Sequence, residues 1–328
     1  MVYVSEAPAI WNLLKGVICM YKPAGITTNS MRKILLGNIC RDLCELESRP
    51  PRNHVFIQGD PSSSLTVHVG PSFADHPLVV GPKYQPDDIR CTWGAPLGKN
   101  VSGVLVMGLN EGNKTVQRLH MQQPTRVFRL KGVLGQATDT YFSDGKVVEK
   151  ATFWHVNRSK LDAVLASIQA AHQKQMFHQC GVDIESQTAY ELAVQGLIKP
   201  ANGKIPLLYG IKCIHFQPPD FTIEVQCINE YETYLTTLVH DIGMQLHSVA
   251  TCTGLQCIRY DSFTLEHALL RKHWTLQFLM VNMAQSHRLL RESKADERQK
   301  LPTLVESDIN HFGVSVTSDD QTQTLCSN

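Results

Sequence analysis

The sequence predicts an α+β fold with a central sheet, mixed or mainly antiparallel, that is flanked by helices. Short apolar runs typical of strands alternate with segments of helical period, but without the regular βαβ succession of a parallel sheet. Pairs of strand-like runs that suit hairpins occur in both halves of the chain. With 328 residues, 43% of them hydrophobic, the chain can bury one large core or two smaller ones.

The N-terminal half supplies the first strands of this predicted sheet. The apolar run at 16–21 ends in Lys22-Pro23-Ala24-Gly25, a pattern that indicates a buried strand running into a turn. Residues 43–63 contain two consecutive prolines and three consecutive serines, which predicts an irregular surface excursion. The next predicted elements are a strand, a short helix and a strand, at 103–109, 115–123 and 127–134.

The C-terminal half contains the strongest helical signal. Leu161, Val164, Leu165 and Ile168 follow the i, i+3, i+4, i+7 spacing of an amphipathic helix. The remaining predicted elements are a helix at 190–197, strands at 205–216 and 222–228 joined by a turn at 218–220, and a helix over 235–246. The polar, charge-mixed stretch 293–328 predicts a frayed helix followed by disorder.

Composition limits the possible partners. The balance of 31 basic and 30 acidic residues gives +1, so RNA would have to be bound by a local basic patch. No apolar run approaches the roughly 20 residues of a membrane-spanning helix. Ten cysteines without a CxxC pair indicate reduced intracellular thiols, and no metal site is expected. The first fifteen residues lack arginine and make only a weak mitochondrial presequence.

Four ordered motifs carry a family resemblance that spans roughly residues 16–265. The stretch Gly-Ala-Pro-Leu-Gly-Lys-Asn-Val-Ser-Gly at 94–103 resembles the catalytic loop of TruB-type pseudouridine synthases. The opening Lys-Pro turn and the segment LGQATDT at 134–140 also resemble that family. Two helix motifs complete the match, YELAVQG at 190–196 and TYLTTLVHDIG at 233–243.

The resemblance implies a pseudouridine-synthase catalytic fold over residues 12–292, without an added C-terminal RNA-binding domain. Members of this family flip a uridine out of RNA, cleave its glycosidic bond, rotate the uracil and rejoin it through carbon 5. They need no metal or organic cofactor. The sequence as a whole, including HPLVVGP at 76–82, is most similar to the mitochondrial branch of the family in animals. This similarity implies a mitochondrial location.

The chain departs from the family pattern at the residues that carry the chemistry. Gly98 stands where the family has its catalytic aspartate, and Thr236 stands where an arginine pairs with that carboxylate. Phe128 occupies the aromatic position, which keeps a stacking face but loses a hydroxyl. Leu255-Gln256-Cys257 replaces Leu-Arg-Arg and removes further positive charge. No intact catalytic set is therefore expected.

RNA contacts are still expected, because the loop itself is retained. Lys22 either touches phosphate or braces the end of the first strand, and the sequence leaves both open. Basic residues beside Phe128 on one strand could contact phosphate or lie on a solvated sheet face. The candidate RNA-binding residues are Lys22, Lys99, Asn100, Arg126, Phe128 and Arg129.

Three interpretations follow from these observations. The first is an RNA-binding protein of mitochondrial mRNA, rRNA or tRNA metabolism, working with mitochondrial RNA-processing proteins, in which the uridine-to-pseudouridine reaction is impaired. The second is an active synthase in which Asp87 or Asp88 has taken over as the carboxylate. The third is a protein-interaction module without an RNA role, which the near-zero net charge and the excursion at 43–63 permit.

Overall fold

The computed structural model describes residues 6–47, 53–62, 64–72, 76–194 and 205–299. The helices are α1 (Ala7–Leu13), α2 (Thr28–Glu45), α3 (Pro77–Val80), α4 (Gly112–Met121), α5 (Arg158–Gln179), α6 (Gln187–Val194), α7 (Glu232–Gln245) and α8 (Leu276–Gln299). The strands are β1 (Gly16–Lys22), β2 (Asn53–Gln58), β3 (Thr66–Pro71), β4 (Cys91–Trp93), β5 (Val101–Leu109), β6 (Arg126–Leu134), β7 (Gln136–Thr138), β8 (Val147–Lys150), β9 (Leu207–Gln217), β10 (Asp220–Ile228), β11 (Ala250–Tyr260) and β12 (Phe263–Thr264).

The large sheet has the strand order β1-β5-β11-β6-β10-β9, with β4 added to β5 and β12 added to β11. Its pairs are antiparallel except that of β5 with β11, which is parallel and aligns Val101 with Leu255. The prediction of an α+β fold with a mainly antiparallel, mixed sheet is thereby confirmed. Two further hairpins, β2-β3 and β7-β8, lie outside this sheet.

The core is formed where the helices cover this sheet. Almost every residue of β5 is buried, which is the burial expected of a strand covered on both faces. Strand β6 instead alternates buried and partly exposed residues, so its two faces lie in different environments. Helix α7 packs against β11, and helices α4 and α8 pack against β1, so the start of β5 lies close to the N-terminal end of α7.

Most predicted elements are present with longer ends. The helix predicted from Leu161 to Ile168 is part of α5, and the side chain of Asn157 caps its start by accepting the N–H of Lys160. The predicted strands at 205–216 and 222–228 correspond to the paired strands β9 and β10. The predicted helix at 190–197 begins earlier, at Gln187, and its last three residues lie outside the described residues.

One expectation about local structure was wrong, and one helix was not predicted. The excursion at 43–63 begins with the end of α2, and its residues 53–58 pair with Thr66–Pro71 as the exposed β2-β3 hairpin. Valine and isoleucine stand at alternate positions of both strands, and such β-branched residues favour strands, so this pattern outweighs the loop-like composition around it. Helix α2 was not predicted at all. Helix α8 continues to Gln299, so the stretch 293–328 begins as helix, and residues 300–328 lie outside the described residues.

The described cysteines are free thiols. In the described part of the chain, no helix has the length and apolar character needed to cross a membrane. Within the same residues, no group of three or more histidine, cysteine or acidic side chains is placed to hold a metal ion.

Candidate active site

The segment 94–100 joins β4 to β5 and carries Gly98 at the entrance of a pocket. Gly103, just inside β5, has φ +116°, and an added Cβ there would lie 2.8 Å from the backbone carbon of Cys257 on β11. A residue without a side chain is therefore needed where β5 runs parallel to β11, directly after the segment 94–100. The retained glycine therefore keeps the loop in position although the aspartate is missing.

The side chain of Glu232 fills the space beside Gly98. A Cβ added at position 98 would lie 2.7 Å from both Cβ and Cδ of Glu232 and would contact Oε2 of the same side chain. Such distances are shorter than carbon atoms allow, so the present positions of Gly98 and Glu232 exclude a side chain at residue 98. Glu232 is half-buried in the first turn of α7, and its Oε1 accepts the backbone N–H of Asn100 at 3.1 Å.

Lys22 stabilises the same loop through hydrogen bonds to backbone carbonyl groups. Its side chain is fully buried, and its ammonium donates to the carbonyl oxygens of Pro23 and Lys99 at 3.2 Å and of Val101 at 2.7 Å. These three bonds use all three donors of an ammonium group. Burial lowers the pKa of Lys22 to about 8, while the nearby negative charge of Glu232 acts in the opposite direction. Of the two roles left open for Lys22, this placement favours bracing over phosphate contact.

Arg126 and Phe128 lie on the buried face of β6. The guanidinium of Arg126 forms an ion pair with Glu230, donates to the backbone oxygen of Glu230 at 3.4 Å, and lies 5.3 Å from the centre of the Phe128 ring. Burial raises the pKa of Glu230, and the charge of Arg126 opposes that shift. Only 2% of Phe128 is exposed. Arg126 therefore has an internal carboxylate partner, and the Phe128 ring is packed in the core.

Arg129 lies on the opposite face of β6 from Arg126. Its guanidinium donates to Glu224 at 2.8 Å, and Lys212 lies 3.4 Å from the same carboxylate. The structure thus separates Arg129 from the pocket. Among the predicted RNA-binding residues, Lys99 is exposed and Asn100 half-buried on the loop, Arg126 lines the pocket, and Arg129 is on the other side of the sheet.

The position expected for the partner arginine offers no charge. Thr236 is buried in α7, and its hydroxyl donates to the backbone oxygen of Thr233 at 2.9 Å, one turn earlier in the same helix. This intrahelical bond satisfies the hydroxyl without any contact to the loop.

The pocket between the loop and α7 has a volume of ≈ 460 Å³. Its lining residues are Ala95, Pro96, Leu97, Gly98, His120, Gln123, Pro124, Arg126, Asn229, Glu230, Tyr231 and Glu232. Tyr231 stands at its rim with 57% of its surface exposed. Sequence reasoning missed both Tyr231 and Glu232, although they directly precede the TYLTTLVHDIG motif.

Asp87 and Asp88 lie far from this pocket. They form a 3₁₀ turn in which Oδ2 of Asp88 accepts the backbone N–H of Gln85 at 3.1 Å, and this turn packs against α2. The following strand begins at Cys91, which pairs with Leu109 at the far end of β5 from Val101. That end is roughly 26 Å along the strand from the loop, at about 3.3 Å per residue. The interpretation in which either aspartate replaces the catalytic carboxylate is therefore wrong.

Comparison with known proteins identifies the class. Residues 90–235 match the model of the TruB family pseudouridylate synthase N-terminal domain. The mitochondrial pseudouridylate synthase TRUB2 of Xenopus tropicalis is 38% identical over 277 residues, which cover 82% of this chain and 85% of the frog protein. The chain therefore belongs to the TruB family of pseudouridine synthases.

Further relatives place the chain within that family. The human mitochondrial TRUB2 is 38% identical over 80% of this chain and 81% of its own length. The tRNA pseudouridine synthase B of Syntrophotalea carbinolica is 26% identical over 62% of this chain and 63% of its own length. The likeness to mitochondrial relatives confirms the expected mitochondrial location.

Among solved structures, the archaeal box H/ACA sRNP Nop10-Cbf5 complex contains a similar chain. The TM-score is 0.44 with 17% sequence identity, and the match covers 83% of this chain and 55% of that one.

Proposed function

We propose that this chain binds mitochondrial RNA, admits a uridine to the pocket beside Gly98, and converts it to pseudouridine more slowly than relatives that have the loop aspartate. The observation that carries the proposal is the combination of a retained loop and pocket with a glycine at position 98. A glycine has no group that can attack carbon or accept a proton, so residue 98 takes no part in the chemistry.

The pocket offers the contacts that an extruded base requires. Tyr231 presents an exposed aromatic face at the rim, and single-stranded bases stack on such faces for about 1–3 kcal/mol each. Lys99 is exposed on the loop and can contact phosphate. Arg126 is held by Glu230 inside the pocket wall, so we assign it to shaping the pocket and not to neutralising phosphate.

The family reaction is expected to be slow because its usual charges are missing. Both Gly98 and Thr236 lack a charge, which removes the carboxylate together with its partner arginine. Loss of a catalytic nucleophile without replacement lowers rates by roughly 10⁴ to 10⁶. The substrate class is RNA of mitochondrial mRNA, rRNA or tRNA metabolism, and proteins that process such RNA are the natural partners of this chain.

The proposal is tested by measuring binding and conversion separately. Purified protein is titrated with mitochondrial transcripts at several salt concentrations, and a chemical pseudouridine map of mitochondrial RNA is compared with and without the protein. We expect affinity to fall as salt rises and conversion to be at least about 100-fold slower than with a TruB-family synthase that has the loop aspartate, because even a misplaced catalytic group costs about that factor and a missing one costs more. A rate within tenfold of that reference synthase would contradict the impairment.

Matched variants locate the RNA-binding face. Tyr231→Ala should weaken binding by about 5- to 150-fold if a base stacks on its ring. Lys131→Ala removes an exposed lysine from β6, on the sheet face away from the pocket, and should leave binding within twofold. Equal effects of both variants would exclude this pocket as the binding site.

The exposed hairpin β2-β3 favours a second candidate, a protein-interaction role. Val55, Ile57, Val67 and Val69 are each more than half exposed, an unusual display of β-branched apolar residues. If this role is the main one, the protein should show no salt-dependent RNA binding, and replacing these four residues with threonine should abolish association with its protein partners.

A further inference from the structure

We propose that Glu232 is the catalytic carboxylate of this chain, supplied from the first turn of α7 in place of the loop aspartate. The inference rests on the proposed function and names the residue that performs its chemistry. It differs from the family arrangement because the acid comes from a different element, while the reacting group reaches the same place.

The positions of the atoms support this replacement. A Cβ at residue 98 would lie 2.7 Å from Cδ of Glu232, the carbon that carries the two carboxylate oxygens. In an aspartate the carboxylate carbon is only about 1.5 Å beyond Cβ. The carboxylate of Glu232 therefore lies within a few ångströms of the place where an aspartate at residue 98 would put its own.

One oxygen of this carboxylate is engaged by the loop, and the other is free. Oε1 accepts the N–H of Asn100, and the N-terminal end of a helix favours negative charge. Lys22 lies close enough for its charge to respond to Glu232. Among the described residues, Oε2 accepts no hydrogen bond, so it is available to a uridine in the pocket.

The simpler explanation is that Glu232 only ties the loop to α7. A glutamine has almost the same shape and could accept the same N–H of Asn100, so it would preserve a purely structural role. It has neither the charge nor the nucleophilicity of a carboxylate. Glu232→Gln therefore separates the two explanations.

The proposed step uses only the uridine, the carboxylate and water. Oε2 of Glu232 attacks carbon 1′ of the ribose and forms an ester bond, while the bond from carbon 1′ to N1 breaks and its electron pair leaves with the uracil. After the uracil rotates, carbon 5 bonds to carbon 1′, and the ester bond breaks to return its electron pair to Oε2. Carbon 5 then loses its proton and N1 gains one from water, so the composition is unchanged.

The longer side chain explains why this arrangement is slower than an aspartate on the loop. Glutamate has one more rotatable bond than aspartate, and one oxygen is already engaged with Asn100. A carboxylate that is less firmly oriented spends less time in the attacking geometry.

The test uses the full chain and a mitochondrial transcript, with enzyme in excess so that slow conversion is measured in one turnover. Wild type, Glu232→Gln and the control Asp87→Asn/Asp88→Asn are compared. We expect Glu232→Gln to lower conversion at least 100-fold while RNA affinity and thermal melting stay close to wild type. The control should convert within twofold of wild type, because its acids lie at the far end of β5. If the glutamine variant does not fold, Glu232→Asp takes its place, because it keeps the charge but withdraws the carboxylate by one carbon, and it should still lower conversion while RNA affinity stays close to wild type.

Two results would overturn the proposal. One is conversion by Glu232→Gln within threefold of wild type. The other is wild-type protein that binds the transcript yet produces no pseudouridine above the protein-free background. Absence of salt-dependent RNA binding, or of any conversion by wild type, refutes the proposed function as well, whereas undiminished conversion by Glu232→Gln refutes only the role of Glu232.

Discussion

Two short segments of the molecule each carry two acids, and they serve different purposes. The 3₁₀ turn with Asp87 and Asp88 precedes Gly98 by about ten residues, yet it lies beside α2 at the far end of β5. Glu230 and Glu232 lie at the start of α7. Glu232 accepts a hydrogen bond from Asn100 of the loop, although the two residues are 132 positions apart in the sequence. Nearness in sequence is therefore a poor guide to which acid reaches an emptied site.

The α7 pair also differs internally. Glu230 is buried and bound to Arg126, while Glu232 is half-buried and faces Gly98. Glu230 is therefore a structural acid, because it is buried and paired, whereas the more exposed Glu232 is available for chemistry. The acids of the 3₁₀ turn fit neither role, because both are exposed and Asp88 is engaged in a local turn bond.

The largest effect is expected from breaking the buried pair. Glu230→Ala leaves the Arg126 guanidinium buried without a carboxylate, which should lower the free energy of unfolding by about 3–5 kcal/mol. Denaturant unfolding measures this loss. Asp87→Ala serves as the control and should change stability by less than about 0.5 kcal/mol. A similar loss for both variants would remove the distinction between the two segments.

The next effect comes from placing a side chain at residue 98. Gly98→Asp alone should lower stability by about 1–3 kcal/mol, because the new side chain overlaps Glu232. Adding Glu232→Gly should recover part of that loss, and the two changes should show a coupling of about 0.5–3 kcal/mol in a double-mutant cycle.

The overlap between residue 98 and Glu232 also affects any attempt to restore the family's aspartate. Gly98→Asp with Thr236→Arg would leave Glu232 in the way, so restoration needs Glu232→Gly as a third change. Strict additivity of Gly98→Asp and Glu232→Gly in unfolding experiments would show that the two positions do not share the space.

A smaller effect is expected at the 3₁₀ turn. Asp88→Ala removes the acceptor for the N–H of Gln85 and should lower stability by about 0.5–1 kcal/mol. Pseudouridine formation, measured by chemical mapping, should be unchanged. A loss of conversion that exceeds the loss of folded protein would place Asp88 in the site after all.

The smallest effect concerns the ionisation of Lys22. Glu232→Gln should lower the pKa of Lys22 below its present value of about 8, because the negative charge that favours the ammonium is gone. A carbon-13 titration of the lysine side chain measures the shift, and Asp88→Asn should leave it unchanged. An unaltered pKa in the Glu232 variant would mean that the two groups do not interact.

The same shift has a consequence for stability. The folded-state pKa of Lys22 lies below its ordinary value of 10.5, so between about pH 8 and 10.5 the unfolded chain binds the extra proton. The contribution of Lys22 to stability therefore increases as the pH rises through that window. Glu232→Gln should make the increase begin at a lower pH.

Local patterns explain which elements were predictable. The apolar runs of β1 and β5 predict buried strands, and the spacing of apolar residues from Leu161 to Ile168 predicts α5. Both patterns depend only on residues that are close in the sequence. The sequence of helix α2 also contains a helical signal, although this helix was not predicted. Thr27 accepts the N–H of Ser30 as an N-cap, and the buried residues that follow have helical spacing: Met31, Leu35, Leu36, Ile39 and Leu43.

The site was predictable only in part. The loop motif identified Gly98 and its missing carboxylate, but Arg126 and Arg129 looked equivalent in sequence because both are cations beside Phe128. The strand pleat sends them to opposite faces, and only the structure shows that one faces Glu230 and the other Glu224. Lys22 was undecided until its three carbonyl partners were known.

By itself, the sequence determined the family, the α+β class and the absence of an acid at residue 98, because motifs and apolar periods are properties of contiguous residues. The tertiary structure decided which acid stands beside Gly98. That outcome depends on the strand order of the sheet, which brings the entrance of α7 to the loop and takes the turn of Asp87 and Asp88 away from it. Contacts between distant segments are set by the packing of the whole sheet, so they cannot be predicted from a pattern of neighbouring residues.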